Sequence, residues 1–216
     1  HDGTAGSGAR MEMTGDGSVM SWPMPSTFTL EWMEIDGNGH GPATSSDYMV
    51  QTNTNNYEIS ACKHLILHDW TSGHQFVGIQ DGSGGRHFNV YQCIVYDLEC
   101  TNGSSNYITA IADASDYNTT GNVISQNTIH EIRNTNGTGG SYGINSADTS
   151  NLTVQNNVVT DCTGTATGPL ACYRRAAPSS SLMSHNLASD TSASGTGSLN
   201  SKAAADQYVS TVGGSE

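Results

Sequence analysis

One short pattern returns six times along the chain, and it limits the fold more than any other feature. An apolar residue is followed three places later by a short polar or soft residue, and two places after that by a second apolar residue. The sets are Leu30-Met33-Ile35, Leu65-His68-Trp70, Val90-Cys93-Val95, Ile124-Asn127-Ile129, Val154-Asn157-Val159 and Met183-Asn186-Ala188. Their first residues are spaced by 35, 25, 34, 30 and 29 positions. A strand-like unit with a period near thirty is the signature of a stacked solenoid.

Each unit reads as short strands joined by turns. Tyr142 to Ile144, Leu152 to Val154 and Val158-Val159 show the layout most clearly, with Asn, Asp, Ser and Thr between them. Apolar residues alternate at strand period, and no long run has helical spacing. A single coil cannot bury its own apolar face; stacked coils bury a continuous column and pair each backbone with the next. The sequence therefore predicts two inner ladders, one through Leu30, Leu65, Val90, Ile124, Val154 and Met183, the other through Ile35, Trp70, Val95, Ile129, Val159 and Ala188. Between them, Asn127, Asn157 and Asn186 form a structural ladder. Stacked amides at a sharp bend satisfy turn backbone groups, and ligand binding is the other use of such a row.

The unit NLTVQNNVV (Asn151 to Val159) resembles a coil of the right-handed parallel β-helix proteins, in the broad pectate-lyase-like architecture. The resemblance covers about Phe28 to Ala188. The opening HDGTAGSGA (His1 to Ala9) and the closing ADQYVSTVGGSE (Ala205 to Glu216) are similar to segments of bacterial and phage β-helix-repeat proteins. In such relatives the chain runs on beyond both. The resemblance implies an all-β fold, a single-stranded right-handed parallel β-helix of about six to seven coils. We expect one domain over 1–216: an N-terminal coil over 1–27, regular coils over 28–188 and an irregular C-terminal coil over 189–216. The chain begins without Met, and neither end carries the polar cap that a solenoid needs. We therefore expect an internal piece of a longer polypeptide, with its ends covered by the rest of the parent chain or by other protein subunits.

Charge narrows the partners. Seven Lys and Arg face twenty Asp and Glu, a formal net charge of −13. Nucleic acid would require a basic stripe, which is lacking. No apolar run is long enough for membrane insertion. Low Lys with abundant Asn, Thr, Ser and Gly suits an extracellular or virion surface. The five Cys lack zinc-knuckle spacing; Cys162 and Cys172 are the pair that adjacent coils could bring into disulfide range.

Four groups of residues are candidates for chemistry. Arg174 and Arg175, with Asp161 on a neighbouring turn, offer the base and acid of a polysaccharide lyase, or else a solvated surface pair. Asp97, Glu131, Asp161 and Asp190 stand two places beyond the second apolar residue and form an acidic column. Its carboxylates either cap their own turns or hold calcium, the cation that oxygen ligands favour; no cofactor is required otherwise. His64, His68, His74 and His87 are dense between two coils and suggest a transition-metal site or, for His68 on the ladder position, a satisfied buried imidazole; Asp69, His74 and Asp81 line a groove with His87 as the best polar cluster for a site. Trp32, Tyr91 and Tyr96 lie out of phase with the core positions and are glycan-contact candidates, because sugar rings stack on aromatic faces. Insertions or a neighbouring subunit would equally cover them. Polar groups spread in ladders favour a non-catalytic structural or adhesive module on a virion or cell surface, such as a phage decoration or tail component or a secreted surface protein, contacting polysaccharide. The enzyme alternative is a polysaccharide lyase or glycoside hydrolase acting on an extracellular glycan.

Overall fold

The computed structural model describes residues 9–15, 20–23, 28–41, 47–53, 59–81, 87–101, 107–113, 120–135, 138–146, 151–164, 168–175 and 182–204. Their strands, numbered along the chain, form three parallel sheets of eight, six and six strands. Sheet A stacks β1 (Ala9–Glu12), β4 (Met33–Asp36), β7 (Ile66–His68), β11 (Ile94–Cys100), β14 (Thr128–Asn134), β17 (Val158–Gly164) and β20 (Leu187–Ala188), with β8 (Trp70–Ser72) paired to β11. Sheet B stacks β2 (Met20–Pro23), β5 (Asp47–Asn53), β9 (Phe76–Asp81), β12 (Ile108–Asp113), β15 (Ser141–Ser146) and β18 (Leu170–Arg175). Sheet C stacks β3 (Phe28–Glu31), β6 (Ile59–Lys63), β10 (His87–Tyr91), β13 (Thr120–Ser125), β16 (Asn151–Gln155) and β19 (Leu182–Ser184). The chain visits A, B and C in turn, so each strand pairs with its equivalent one coil away. The fold is an all-β parallel solenoid.

About four turns are full length, against the six to seven regular coils expected. They run from β5 to β8, β9 to β11, β12 to β14 and β15 to β17, with strands of five to seven residues and one sheet A strand split at Asp69. The turns at either end are shorter: β2, β3 and β4 have four residues each, and β19 and β20 shrink to three and two. Spacing alone counts repeats and does not register this shortening.

Alternation dictates what the stack buries. Ile35, Leu67, Val95, Ile129, Val159 and Ala188 are aligned in sheet A and all fully buried. Leu30, Cys62, Val90, Ile124 and Val154 line up behind them in sheet C. Burial of each methylene there contributes about 0.8 kcal/mol. Two ladder assignments are corrected. The second coil uses Cys62, Leu65 and Leu67 where the sequence pattern proposed Leu65, His68 and Trp70, a slip of three residues. Four buried apolar residues compete in that segment, and Cys62 is as fully buried as the leucines. Trp70 instead joins a further inner column with Leu98, Ile132 and Cys162.

Two sharp bends repeat up the stack. The corner from sheet C to sheet A passes through Trp32, His64, Gln92, Gln126, Asn156 and His185, each left-handed with φ between 53° and 60°. The second bend interrupts sheet A at Asp69, Asp97, Glu131 and Asp161, with φ of 56°, 52°, 54° and 55°. A left-handed L-residue costs roughly 1–2 kcal/mol, so the repeat is an architectural requirement that pairing and burial outweigh. Each second-bend residue also resets the alternation. Tyr96 and Asp97 both turn outward, and Leu98 then returns to the core.

Beside the first corner stand Asn127, Asn157 and Asn186. The Asn127 amide donates to the Asn157 side-chain oxygen at 3.0 Å, and Asn157 donates likewise to Asn186 at 3.0 Å. Each also donates one rung back, to the carbonyls of Val90, Ile124 and Val154. Cys93 occupies the same position and makes a weaker version of that bond, its thiol donating to the Cys62 carbonyl at 3.6 Å.

Candidate functional site

The outer face of sheet A gathers most of the polar side chains that the sequence singled out. Pairing register makes it a set of columns. One runs through Asp36, His68, Tyr96, His130 and Thr160; the next is the bend column of Asp69, Asp97, Glu131 and Asp161. Beyond the bend run Thr71, Glu99, Arg133 and Thr163.

Adjacent carboxylates about 4.8 Å apart repel by roughly 1 kcal/mol in water and about 3–4 kcal/mol at an effective dielectric of 20. Arg133 offsets part of this repulsion. Arg133 hydrogen-bonds to Asp97 and reaches Glu131 at 3.3 Å and Glu99 at 3.5 Å. His130 lies 3.5 Å from Asp161 and shares a 2.9 Å hydrogen bond with Thr160. Asp190, the fourth member expected in the acidic column, accepts from the backbone amide of Ser192 in its own turn and from that of Cys172 in β18. Asp69 is the member that the sequence reading left out of that column.

Asp69 and Asp97 are hydrogen-bonded to one another, and their acidities are pulled apart. Burial, then the bond with Asp69, raises Asp97 above the ordinary aspartate value of 3.8, against the pull of Arg133. Burial also pushes Asp69 upward, but hydrogen bonds with His68 and Asp97 outweigh it and hold Asp69 below 3.8. Asp97 is therefore the member of the pair that holds its proton more readily.

These two aspartates border an open cleft of about 350 Å³. Asp36, Thr71 and Arg133 line it from the sheet, and Asn38 and Gly39 from the turn after β4. That turn is built locally. The Asn38 amide donates to the Asp36 carboxylate at 2.7 Å, an Asx turn. Asn38 and Gly39 both take positive φ, 51° and 74°. The Gly39 amide then bonds to the Asp69 carbonyl at 2.8 Å, tying the turn to the next rung.

The aromatic candidates do not form one strip. Tyr96 stands beside the cleft, its ring stacked on His68 at 4.9 Å and 3°. Trp32 is at the first corner, half exposed, with one ring face covered by His64 at 3.9 Å. Tyr91 belongs to β10 in sheet C. The histidine cluster is likewise dispersed: His64 at the corner, His68 on sheet A, and His74 on the connection from β8 to β9. The side chains of Asp81 and His87 lie outside the described residues.

The lyase candidates fall on different sheets, and the side chain of Arg175 lies outside the described residues. Arg174 and Arg175 lie in β18 of sheet B, and Asp161 in β17 of sheet A. The Arg174 guanidinium covers the Tyr142 ring at 4.8 Å, a cation–π contact. Cys162 and Cys172 are free thiols in hydrogen-bond contact. The bond with Cys162 brings Cys172 down to about 7, while the same bond, then burial, raises Cys162 well above 9.0.

Sequence reasoning missed Glu34 and Asp36. Their signal was the alternation Met33-Glu34-Ile35-Asp36, which sends both acids to the outer face. Aligning Leu67 with Ile35 would then have set His68 beside Asp36. No family model, no curated protein and no solved structure matches the chain.

Proposed function

We propose that this solenoid is a rigid, non-catalytic surface module, a virion component or a secreted cell-surface protein, that contacts a neutral glycan through the outer face of sheet A. A distant kinship with pectate-lyase-like and phage β-helix proteins belongs to the same proposal. The observation that carries it is the open polar cleft between Asp36, Asp69, Asp97 and Arg133. Adjacent sugar hydroxyls are donors and acceptors at once; carboxylates accept from them and a guanidinium donates to them. Tyr96 at the cleft margin adds an apolar edge for ring contact. The formal charge of −13 disfavours an acidic polymer.

Hydrolysis is the second reading, since two carboxyls of unequal acidity are the requirement of a glycosidase. Opposing it, Asp69 and Asp97 stand on neighbouring rungs of one column, about 4.8 Å apart along the stack, below the about 5–5.5 Å and about 6.5–9.5 Å of glycosidase pairs.

Affinity electrophoresis against neutral and acidic polysaccharides tests the proposal. Retardation by a neutral polymer, lost in Arg133→Met and reduced in Tyr96→Ala, is the expected result. Equal mobility in every polymer removes the glycan reading. Release of reducing ends that disappears in Asp97→Asn establishes the hydrolase instead.

A further inference from the structure

At the N-terminal end of the same face, Glu34 and Asp36 of β4 and His68 of β7 bring a set of donor atoms within 4.8 Å of one another. His68 is 7% exposed, and both of its ring nitrogens face carboxylates. Nδ1 is 2.7 Å from Asp69 Oδ2, and Nε2 is 3.2 Å from Glu34 Oε1. A neutral imidazole carries one hydrogen. If the shorter contact takes it, the lone pair of Nε2 faces a carboxylate oxygen in a place largely closed to water. A positive centre is needed between them.

The Glu34–His68 spacing suits a metal, and Asp36, whose Oδ1 is 3.9 Å from Nδ1, belongs to the same set of donors within 4.8 Å. Four ligands about 2.0–2.1 Å from a tetrahedral ion stand about 3.3–3.4 Å from each other, close to the 3.2 Å between Nε2 and Oε1. Asp69 sits behind the ring, where a carboxylate fixes the tautomer of a ligating histidine. An imidazole among the donors favours a zinc-type ion over calcium or magnesium. A cation is already drawn to these carboxylates: Arg10 of β1 hydrogen-bonds to Asp36 and lies 3.5 Å from both Glu34 and Glu12. Its side chain is 45% exposed, so it can swing away.

We infer that Glu34, Asp36 and His68 form a binding site for a divalent transition metal of the zinc class, with Asp69 as the positioning carboxylate and Arg10 as a competing internal cation. The inference stands apart from the glycan proposal, and either can fail without the other.

Calorimetric titration of the 216-residue chain with zinc chloride tests it, with cobalt(II) absorption reporting the coordination geometry. One saturable equivalent is expected. Glu34→Gln weakens it at least about tenfold, and Asp69→Asn by about 10–100-fold as an outer partner. Arg10→Ala tightens it, an effect that a merely structural role for Arg10 would not produce. Glu131→Gln, an acid of the same face outside the ligand set, leaves the affinity unchanged. Circular dichroism establishes that each variant is folded. Three results overturn the assignment: no saturable binding in the parent chain or in Arg10→Ala, binding indifferent to Glu34→Gln, or equal losses in Glu34→Gln and Glu131→Gln. The first leaves Glu34, Asp36 and His68 as a hydrogen-bonded cluster without a metal; the last reduces the binding to diffuse attraction by acidic surface.

Discussion

Asp69 and Asp97 illustrate how one rung of a parallel stack sets the acidity of the next. Asp97 titrates above 3.8 because burial and its partner favour its protonated form. Its contribution to stability is therefore present below 3.8 and is lost as pH rises through the raised value. Asp69 has the opposite sign. Its contribution is present above 3.8 and is lost as pH falls through its lowered value. Carbon-detected NMR of the aspartate side chains should show one carboxyl titrating on each side of 3.8; two coincident titrations near 3.8 would mean that the pair is not in contact. Asp97 was legible in the sequence, because it stands two places beyond Val95, a core position correctly identified. Asp69 was not assigned to the column, because its rung had been aligned on Leu65 and Trp70 when the stack aligns Cys62 and Leu67. A cysteine as fully buried as its leucine neighbours gives a weak periodic signal, and a three-residue slip moved every neighbour of His68.

Strands and corners obey simpler rules, and here the sequence spoke more fully. The thirty-residue period sufficed for parallel stacking, and the Asn row lies where the repeat put it. Asn157 holds the row together through four bonds: it donates to Ile124 and Asn186, and its side-chain oxygen accepts from the backbone and side chain of Asn127. Asn157→Ala strands these buried partners, and each unsatisfied group costs about 1–3 kcal/mol. Urea unfolding should show a loss of about 2–4 kcal/mol, whereas Gln155→Ala, a partly exposed change in the same coil, should stay within about 0.5 kcal/mol. Equal effects would show that the row is ornamental. The column of Trp70, Leu98, Ile132 and Cys162 was beyond sequence reasoning for a physical reason. Strict alternation predicts that Leu98 points outward from Val95, and only the left-handed bend at Asp97 turns it back into the core.

The whole molecule carries an excess of thirteen negative charges, from seven basic and twenty acidic residues. Local pairs such as Arg133 with Asp97 are partly exposed and contribute little each, so long-range repulsion decides the response to salt. The melting temperature should rise as ionic strength goes from about 10 mM to about 150 mM, where the screening length falls from about 30 Å to about 8 Å; a fall would give the local pairs the larger share. The left-handed corner from sheet C to sheet A has a different consequence, one for tolerance to inserted sequence. It takes only Trp32, or two residues such as Gln92-Cys93 and Gln126-Asn127, at every level of the stack. The passage from sheet A to sheet B ranges from 73–75 to 37–46, and that from B to C is also uneven. One edge of the solenoid is thus a spine of fixed length, and the other two edges absorb variation. Foreign peptides could be displayed from those two edges coil by coil, each at a height set by its rung, while a single extra residue after Gln126 would put β14 out of register with β11 and β17.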